Sequence, residues 1–300
     1  MLKAKVVSST RRFVQILTED NKIIPGMLVS KDLSSVVGDL VLYNLQPEKA
    51  EALIETILAR RNILSRAAIN KTKELVANVD LLIIVAAPNP LFNRTFIDRV
   101  IATAKAQNIE AVLLINKVDL KQELAKTLVE IEVYQQIGIN VIYANTIEED
   151  GLAELQKIIC NPQLNIVSLV GISGVGKSSI INKLCPDDEL RIDDVSSKSG
   201  QGKQTTTVAQ AYRYPKNSNL LLVDLPGIQN FGVMHLCKEE LLLGFPEILA
   251  QIDQCKFNDC SHQKEPGCGV KKALENGEID QVRYQSYLSL KAELDEMKPY

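Results

Sequence analysis

The sequence predicts a multidomain protein of the α/β class with three successive parts. Residues 1–62 alternate apolar and polar side chains in short runs, which predicts a small β-barrel. From about residue 63, apolar β-branched runs alternate with stretches of helical spacing, which predicts a mostly parallel sheet covered by helices. Cysteine and histidine cluster in the tail, which predicts a small metal-binding helical module. We therefore expect domains at 1–62, 63–232 and 233–300.

Composition is that of an ordinary globular protein. The chain has 300 residues, of which 46% are apolar and 24% charged, and a net charge of −3, which argues against a generic nucleic-acid coat. No apolar run is long enough to cross a membrane, and the first residues lack the apolar core of a signal peptide. We expect a cytoplasmic protein without membrane contact, in which the six cysteines are thiols or metal ligands rather than disulfides.

The N-terminal part has five predicted strands, and an OB-fold is the expected kind of barrel. The strands are residues 3–7, 13–17, 23–29, 40–43 and 52–58. Such barrels bind single-stranded nucleic acid by stacking bases on aromatic rings, but only Phe13 and Tyr43 are available here. The first twelve residues carry basic side chains and no acid, which indicates either a solvated edge or a small footprint for phosphate backbone. These basic residues are Lys3, Lys5, Arg11 and Arg12.

The central part contains a phosphate-binding pattern. The apolar run at residues 166–170 predicts a buried strand, and it is followed at once by Gly171-x-x-x-x-Gly176-Lys177-Ser178 and by apolar residues at helical spacing. Glycines let backbone N–H groups turn inward around phosphate oxygens, and the helix adds its positive N-terminal end. Lys177 is expected to reach the β- and γ-phosphates, and Ser178 to bind Mg²⁺.

A second motif, Asn116-Lys117-Val118-Asp119, follows the predicted strand at residues 111–115. A carboxylate at Asp119 accepts hydrogen bonds from two donors of guanine that adenine lacks, and losing both would cost about 3–6 kcal/mol. Asn116 is expected to brace the loop, and the stem of Lys117 to cover the base.

A third motif, Asp224-Leu-Pro-Gly227, follows the predicted strand at residues 220–223. Asp224 is expected to hold Mg²⁺ through water, and the Gly227 N–H to meet the γ-phosphate. The polar stretch at residues 196–207 ends in three threonines and is expected to order around Mg²⁺ and the γ-phosphate.

The tail holds Cys255-x4-Cys260-x-His262-x5-Cys268. Three thiolates and one imidazole suit tetrahedral Zn²⁺ and leave no open position for catalysis, so we expect one structural zinc. Cys160, Cys185 and Cys237 have no such partners and are expected to be small buried apolar residues. Apolar residues at helical spacing predict a final helix packed on this module. They are Ile279, Val282, Leu290 and Leu294.

The order of the motifs differs from that of an ordinary GTPase, in which the P-loop comes first and the NKxD motif last. Permutation moves the termini without changing packed contacts, so a fold survives it. The permuted order, with GxSGVGKSS, G-K-x-TTT, DLPG, the N-terminal β-domain and the cysteine-rich tail, resembles the ribosome small subunit-dependent GTPase A family over nearly the whole chain.

The resemblance implies a circularly permuted P-loop GTPase that assists late maturation of the small (30S) ribosomal subunit, coupling nucleotide state to binding and release. It implies a monomer that contacts the subunit and its rRNA, uses Mg²⁺ with GTP and holds one zinc ion. The residues implied in catalysis are Gln204, Thr205, Thr206, Thr207 and Gly227. Those implied in GTP binding are Asn116, Lys117, Val118, Asp119, Ala144, Gly171, Ile172, Ser173, Gly174, Val175, Gly176, Lys177, Ser178 and Ser179.

The chain departs from the family at two positions. Family members have His before the three threonines, where this chain has Gln204. A glutamine orients the attacking water in other GTPases, but unlike a histidine it does not act as a general base. A second base-recognition segment usually reads Ser-Ala, and here Tyr143-Ala144-Asn145 stands in its place. We expect the Ala144 N–H to meet guanine O6.

Three alternatives stay open at this point. The first is a nucleotide-gated RNA-binding protein that acts as an assembly checkpoint and whose hydrolysis is incidental. The second is a permuted GTPase that acts on the large ribosomal subunit, and the third is an ATPase. The barrel and the tail disfavour the second, and Asp119 disfavours the third.

Overall fold

The computed structural model of the chain describes residues 1–10, 12–30, 32–46, 51–68, 71–186, 209–225, 233 and 236–296. Within these ranges a closed barrel is followed by a two-stranded hairpin, a six-stranded sheet flanked by helices, and a helical C-terminal module. None of the helices described is long and apolar enough to cross a lipid bilayer.

The N-terminal strands close into a five-stranded barrel, as predicted. Their order is β1-β2-β3-β5-β4, and β1 closes the barrel by pairing antiparallel with both β2 and β4. The strands are β1 Leu2–Ser9, β2 Phe13–Thr18, β3 Ile23–Leu28, β4 Leu40–Gln46 and β5 Glu51–Ile57. Every second residue points inward, so Val6, Ile16, Val41 and Ile54 are fully buried in the barrel core.

A β-hairpin joins the barrel to the sheet, and its strands are β6 Ile63–Ala68 and β7 Lys71–Ala77. The sequence suggests a strand–helix alternation from residue 63 and does not predict the hairpin, because its outer half is polar and shows no regular alternation. The Ala77 N–H donates to the Val37 carbonyl at 2.9 Å. Gly38 has φ of +92°, and a Cβ there would lie 2.1 Å from the Ala77 carbonyl oxygen, so only glycine allows this approach.

The central sheet has the order β10-β9-β8-β11-β13-β12. All neighbouring strands run parallel except β12, which pairs antiparallel with β13 at one edge and was not predicted. The strands are β8 Leu81–Ala86, β9 Glu110–Ile115, β10 Asn140–Tyr143, β11 Ile166–Val170, β12 Gln210–Tyr214 and β13 Asn217–Asp224. The mostly parallel sheet expected from the sequence is therefore confirmed, and its one antiparallel strand lies at the edge.

Four helices cover the two faces of the sheet. Apolar residues of α1 and α2 pack on one face, and those of α3 and α4 pack on the other. The helices are α1 Arg94–Ala106, α2 Lys121–Gln136, α3 Ala153–Ile159 and α4 Lys177–Leu184. The Asn93 side chain caps α1 by accepting from the Phe96 N–H at 2.9 Å, which fixes where that helix begins.

The C-terminal module consists of short helices and a final helix of 16 residues, packed around an apolar core that includes the fully buried Phe245 and Leu290. Its helices are α5 Lys238–Leu242, α6 Pro246–Leu249, α7 Gly269–Glu275 and α8 Gln281–Glu296. The final helix is present as predicted, but Val282 is 44% exposed and does not belong to its buried face. Tyr284 and Tyr287 fill that face instead, since their rings bury as well as aliphatic chains do.

The isolated cysteines differ in their surroundings. Cys185 is buried, as expected, but Cys160 and Cys237 are exposed, so the prediction is wrong for these two. Cys237 caps α5: its thiol accepts from the Glu240 N–H at 3.4 Å, and the Glu240 carboxylate accepts from the Cys237 N–H at 2.8 Å. The requirement for a cap at a helix start, rather than apolar packing, explains the position of Cys237.

A buried arginine attaches α8 to the rest of the molecule. Arg283 is fully buried, donates to Asp98 on α1 at 2.8 Å and to both carboxylate oxygens of Glu247 on α6 at 2.7 and 3.0 Å. The Tyr134 hydroxyl of α2 donates to the same Asp98 oxygen at 2.9 Å. Burial opposes the charge of Arg283, but Asp98 and Glu247 outweigh it and raise the pKa of the guanidinium. The C-terminal module is thus bound to α1 by the Arg283–Asp98 ion pair, and Tyr134 of α2 donates to the same carboxylate.

We predict that Arg283→Met destabilises the protein by about 3–5 kcal/mol, because it leaves Asp98 buried without its partner. Urea denaturation followed by hydrogen exchange of α8 measures the effect. Lys238→Met is the matched control, since Lys238 pairs with Asp295 at 2.8 Å while both side chains are more than 40% exposed. We expect the control to lose less than about 1 kcal/mol. Equal losses for the two variants would contradict the role given to Arg283.

Candidate nucleotide and metal sites

The loop between β11 and α4 has the geometry of a phosphate cradle. Gly174 and Gly176 have φ of +86° and +98°, in the left-handed region that glycine adopts readily. A Cβ at Gly171 would lie 2.4 Å from the Val85 carbonyl oxygen, so this position also excludes a side chain. Ser178 and Ser179 are exposed in the first turn of α4, at the positive end of the helix.

Lys177 lies across this loop. Its Nζ donates to the Gly171 carbonyl at 2.8 Å and to the Ile172 carbonyl at 3.4 Å, and the residue is buried. Burial lowers the pKa of Lys177, and the nearby Asp224 opposes that shift. An ammonium group held by two backbone carbonyls is suited to exchange these contacts for phosphate oxygens.

The motif at residues 116–119 is bound directly to the phosphate loop. Asn116 is fully buried at the end of β9, and its Nδ2 donates to the Val175 carbonyl at 2.9 Å. Lys117 Nζ donates to the Gly174 carbonyl at 2.7 Å and to the Asn89 carbonyl at 2.9 Å. Two segments more than fifty positions apart in the chain therefore form one site.

Asp119, next to these contacts, is exposed. Its carboxylate is therefore accessible to an incoming base. Val118 and Ile172 are half-buried and pack on the core, Val175 is buried, and Ser173 is exposed in the loop. The sequence analysis did not identify Asn89, because its contact with Lys117 uses the backbone carbonyl, which every residue type has.

The expectation for Ala144 is wrong. Its N–H already donates to the Ile115 carbonyl at 2.8 Å, because the pairing of β10 with β9 continues one residue past the end of the strand. The next N–H, that of Asn145, donates to the Gly151 carbonyl at 2.8 Å. The N–H groups of Ala144 and Asn145 are therefore not free to bind guanine O6.

Asp224 ends β13, beside the end of the strand that carries the phosphate loop. Burial raises its pKa to about 6, and the positive charge of Lys177 opposes this shift. Its Oδ1 is buried without a hydrogen-bond partner in the part of the chain that the structure describes. An unpaired buried carboxylate oxygen near a phosphate loop fits a hydrated Mg²⁺, which prefers oxygen ligands and keeps several waters.

The residues expected in catalysis cannot be placed here. Gln204, Thr205, Thr206, Thr207 and Gly227 all lie outside the described residues. Their roles stay predictions.

The tail brings Cys255, Cys260, His262 and Cys268 together, with one ligand atom of each lying within 4.8 Å of the others. Cys255 Sγ lies 3.5 Å from His262 Nδ1 and 3.9 Å from Cys268 Sγ, and Cys268 Sγ lies 3.6 Å from the same nitrogen. A tetrahedral zinc with ordinary bond lengths requires about 3.8 Å between sulfurs and about 3.5 Å between sulfur and nitrogen. The four side chains therefore fit one zinc ion through Nδ1 of the histidine.

Residues outside the motif hold these ligands in place. His262 has φ of +66°, and the Tyr284 hydroxyl donates to its carbonyl at 2.6 Å. The Glu265 carboxylate accepts from the N–H groups of Ser261, Gln263 and Lys264. Hydrogen bonds from the Ser261 side chain and then from nearby backbone N–H groups lower the pKa of Glu265. Spacing alone could not identify Tyr284, which comes from α8. Supporting contacts of this kind orient metal ligands.

Comparison with known sequences finds relatives along nearly the whole chain. A family model described as RsgA GTPase matches residues 57–234. The small ribosomal subunit biogenesis GTPase RsgA of Actinobacillus pleuropneumoniae is 34% identical over 299 residues, which cover 98% of this chain and 86% of that protein. The protein of the same name from Haemophilus influenzae is 36% identical over 271 residues, which cover 88% of this chain and 77% of its own.

Two solved structures share the fold. YjeQ from Thermotoga maritima has a TM-score of 0.76 and 31% identity, and the match covers 99% of both chains. YloQ, described as a circularly permuted GTPase, has a TM-score of 0.73 and 27% identity, and the match covers 100% of this chain and 97% of the other. The motif order, the joined nucleotide loops and these matches agree, and this chain belongs to the RsgA family of circularly permuted GTPases.

Proposed function

We propose that this GTPase binds the small (30S) ribosomal subunit and assists its late maturation, with nucleotide state controlling binding and release. The observation that supports it most is the direct attachment of the motif at residues 116–119 to the phosphate loop through Asn116 and Lys117. That attachment orients a guanine-reading carboxylate relative to the phosphates. The relatives are named for small ribosomal subunit biogenesis, and this supports the small subunit as the partner.

In the proposed site the backbone of residues 171–176 and Lys177 hold the phosphates, and Asp119 accepts from the guanine base. Ser178 and Asp224 would hold Mg²⁺, which neutralises phosphate charge when bound. Gln204 orients the attacking water, with Thr205, Thr206, Thr207 and Gly227 contacting the γ-phosphate and its ion. Val118, Ile172, Ser173, Val175 and Ser179 shape the loops around the nucleotide.

The proposed domains are a barrel at 1–62, the GTPase domain at 63–232 and a zinc domain at 233–300, in a monomeric cytoplasmic protein. The rRNA contact is assigned to the barrel, but Lys5 does not contribute to it. Lys5 Nζ donates to the Asn219 carbonyl of β13 at 3.1 Å, and burial lowers its pKa to about 8 despite the opposing effect of Asp80. Lys3 and Arg12 are exposed and remain available for phosphate.

Co-sedimentation with separated ribosomal subunits tests the proposal, in GDP and in a non-hydrolysable GTP analogue, together with GTP turnover with and without 30S subunits. We expect nucleotide-dependent binding to 30S subunits and faster turnover in their presence. Binding without stimulated turnover would favour an RNA-binding checkpoint whose hydrolysis is incidental. Binding to 50S subunits alone would contradict the proposal.

We predict that Asp119→Asn weakens GDP binding by roughly two to four orders of magnitude, because two charge-assisted hydrogen bonds to guanine are lost. The variant should bind xanthosine diphosphate better than the unaltered protein does, since xanthine accepts at C2 where guanine donates. Displacement of a fluorescent nucleotide measures both affinities. An unchanged affinity for GDP would refute the assignment of Asp119.

We also predict one zinc ion per chain, bound by Cys255, Cys260, His262 and Cys268. Cys268→Ser should lower the zinc content and increase hydrogen exchange in α7 while leaving GDP affinity nearly unchanged, because the metal holds the module and not the nucleotide loops. Cys160→Ser is the control, as Cys160 is exposed and lies outside the cluster. Carefully purified protein that contains no zinc by elemental analysis would exclude the site.

A further inference from the structure

The loop at residues 145–151 follows β10 and lies beside the end of β9, where the guanine-reading motif is located. The Val118 N–H donates to the Ala144 carbonyl at 3.3 Å and so joins this loop to the motif at residues 116–119. The loop is largely exposed, and Ile147 is 80% exposed. A segment in this position must nevertheless be well ordered if it is to present a donor to a base.

In residues 144–147, which directly follow β10, one backbone N–H remains for a ligand. The N–H groups of Ala144 and Asn145 are used by Ile115 and Gly151, and the Ile147 N–H donates to the Asn145 side chain at 3.0 Å. Among residues 144–147, all of which the structure describes, only the Thr146 N–H makes no hydrogen bond. The N–H groups of Glu148, Glu149 and Asp150 also make no hydrogen bond within the part of the chain that the structure describes, but they lie farther along the chain from Ala144, whose carbonyl joins the loop to the motif. We therefore take Thr146, the first free donor after β10, as the donor for guanine O6 in place of Ala144.

Lys183 holds the loop on both sides of Ile147. Its Nζ donates to the Thr146 carbonyl at 3.3 Å and also to the Glu148 carbonyl. Lys183 lies in the last turn of α4, the helix that begins at Lys177 and whose first turn faces the phosphates. One short helix therefore carries both the phosphate-binding end and the side chain that fixes the base-reading loop.

We infer that Lys183 is a positioning residue for guanine specificity, which acts by holding the Thr146 N–H toward O6 of the base. The inference rests on the proposed guanine site and adds to it a residue outside the recognised motifs. Fixing the Thr146 carbonyl restricts rotation at Thr146, while the contacts of Asn145 fix the preceding peptide. Without Lys183 the donor would sample several directions, and part of the O6 contact would be lost.

The test is a set of affinities for GDP, 6-thio-GDP, inosine diphosphate and ADP, measured by displacement of a fluorescent GDP analogue from the full chain. 6-Thio-GDP replaces O6 by sulfur, a weaker acceptor, and so reports on the Thr146 contact. Inosine diphosphate lacks the exocyclic amine and so reports on the Asp119 contact. The variants are Lys183→Met and Lys183→Arg, with Lys157→Met as the control, because Lys157 is an exposed lysine on the neighbouring α3.

We expect Lys183→Met to weaken GDP binding by about fivefold, the factor that corresponds to one net hydrogen bond. The loss of affinity from GDP to 6-thio-GDP should shrink in this variant, whereas the loss from GDP to inosine diphosphate should stay as in the unaltered protein. Lys183→Arg and Lys157→Met should keep the unaltered pattern.

Two results would overturn the role of Lys183. The first is an unchanged GDP affinity in Lys183→Met. The second is a loss of affinity from GDP to 6-thio-GDP in Lys183→Met that equals the loss in the unaltered protein, because Lys183 would then support the loop without acting on O6. Equal affinity of the unaltered protein for ADP and GDP is a different result. It would refute the guanine site itself and the inference with it.

Discussion

The hydrogen bonds from Asn116 and Lys117 to the carbonyls of the phosphate loop are the contacts on which the nucleotide site depends. Both are made by side chains of one loop to the backbone of another, at 2.9 and 2.7 Å. Gly174 and Gly176 have positive φ on either side of Val175, and in this turned backbone the carbonyls of Gly174 and Val175 accept from Lys117 and Asn116. These contacts hold the base-reading loop at a fixed position relative to the phosphate-binding loop, and they do not depend on the order of the two loops in the chain.

The second constraint is the attachment of the C-terminal module to the sheet. Arg283 is fully buried and satisfied by two carboxylates and the Gly244 carbonyl, and it lies 4.3 Å from the Phe245 ring centroid. Arg99 of α1 adds a paired contact to Glu293 at 2.6 Å. A small module with its own metal cluster is therefore held against the helix that covers β8, so the zinc ligands and the nucleotide loops belong to one connected structure.

Local patterns were enough to predict the parts of the site whose chemistry is carried by consecutive residues. The phosphate loop, the motif at residues 116–119 and the Cys3His spacing are each contained within a short segment, and the structure brings their members together as expected. Expectations about single residues in tertiary contacts were less successful. Ala144 is occupied by strand pairing, Lys5 belongs to the interface between barrel and sheet, and Val282 is exposed beside a face filled by tyrosines.

The sequence by itself determined the class of chemistry, because glycine spacing, a carboxylate after a strand and four soft metal ligands restrict which groups a site can bind. Only the tertiary structure decided which N–H groups stay free, which lysines are buried and which distant side chains support the loops. Strand pairing uses backbone donors without regard to residue type, so the availability of Thr146 and the contacts of Lys183 leave no trace in the sequence. Long-range packing also brings the Tyr284 hydroxyl to the His262 carbonyl, a contact that no motif spacing predicts.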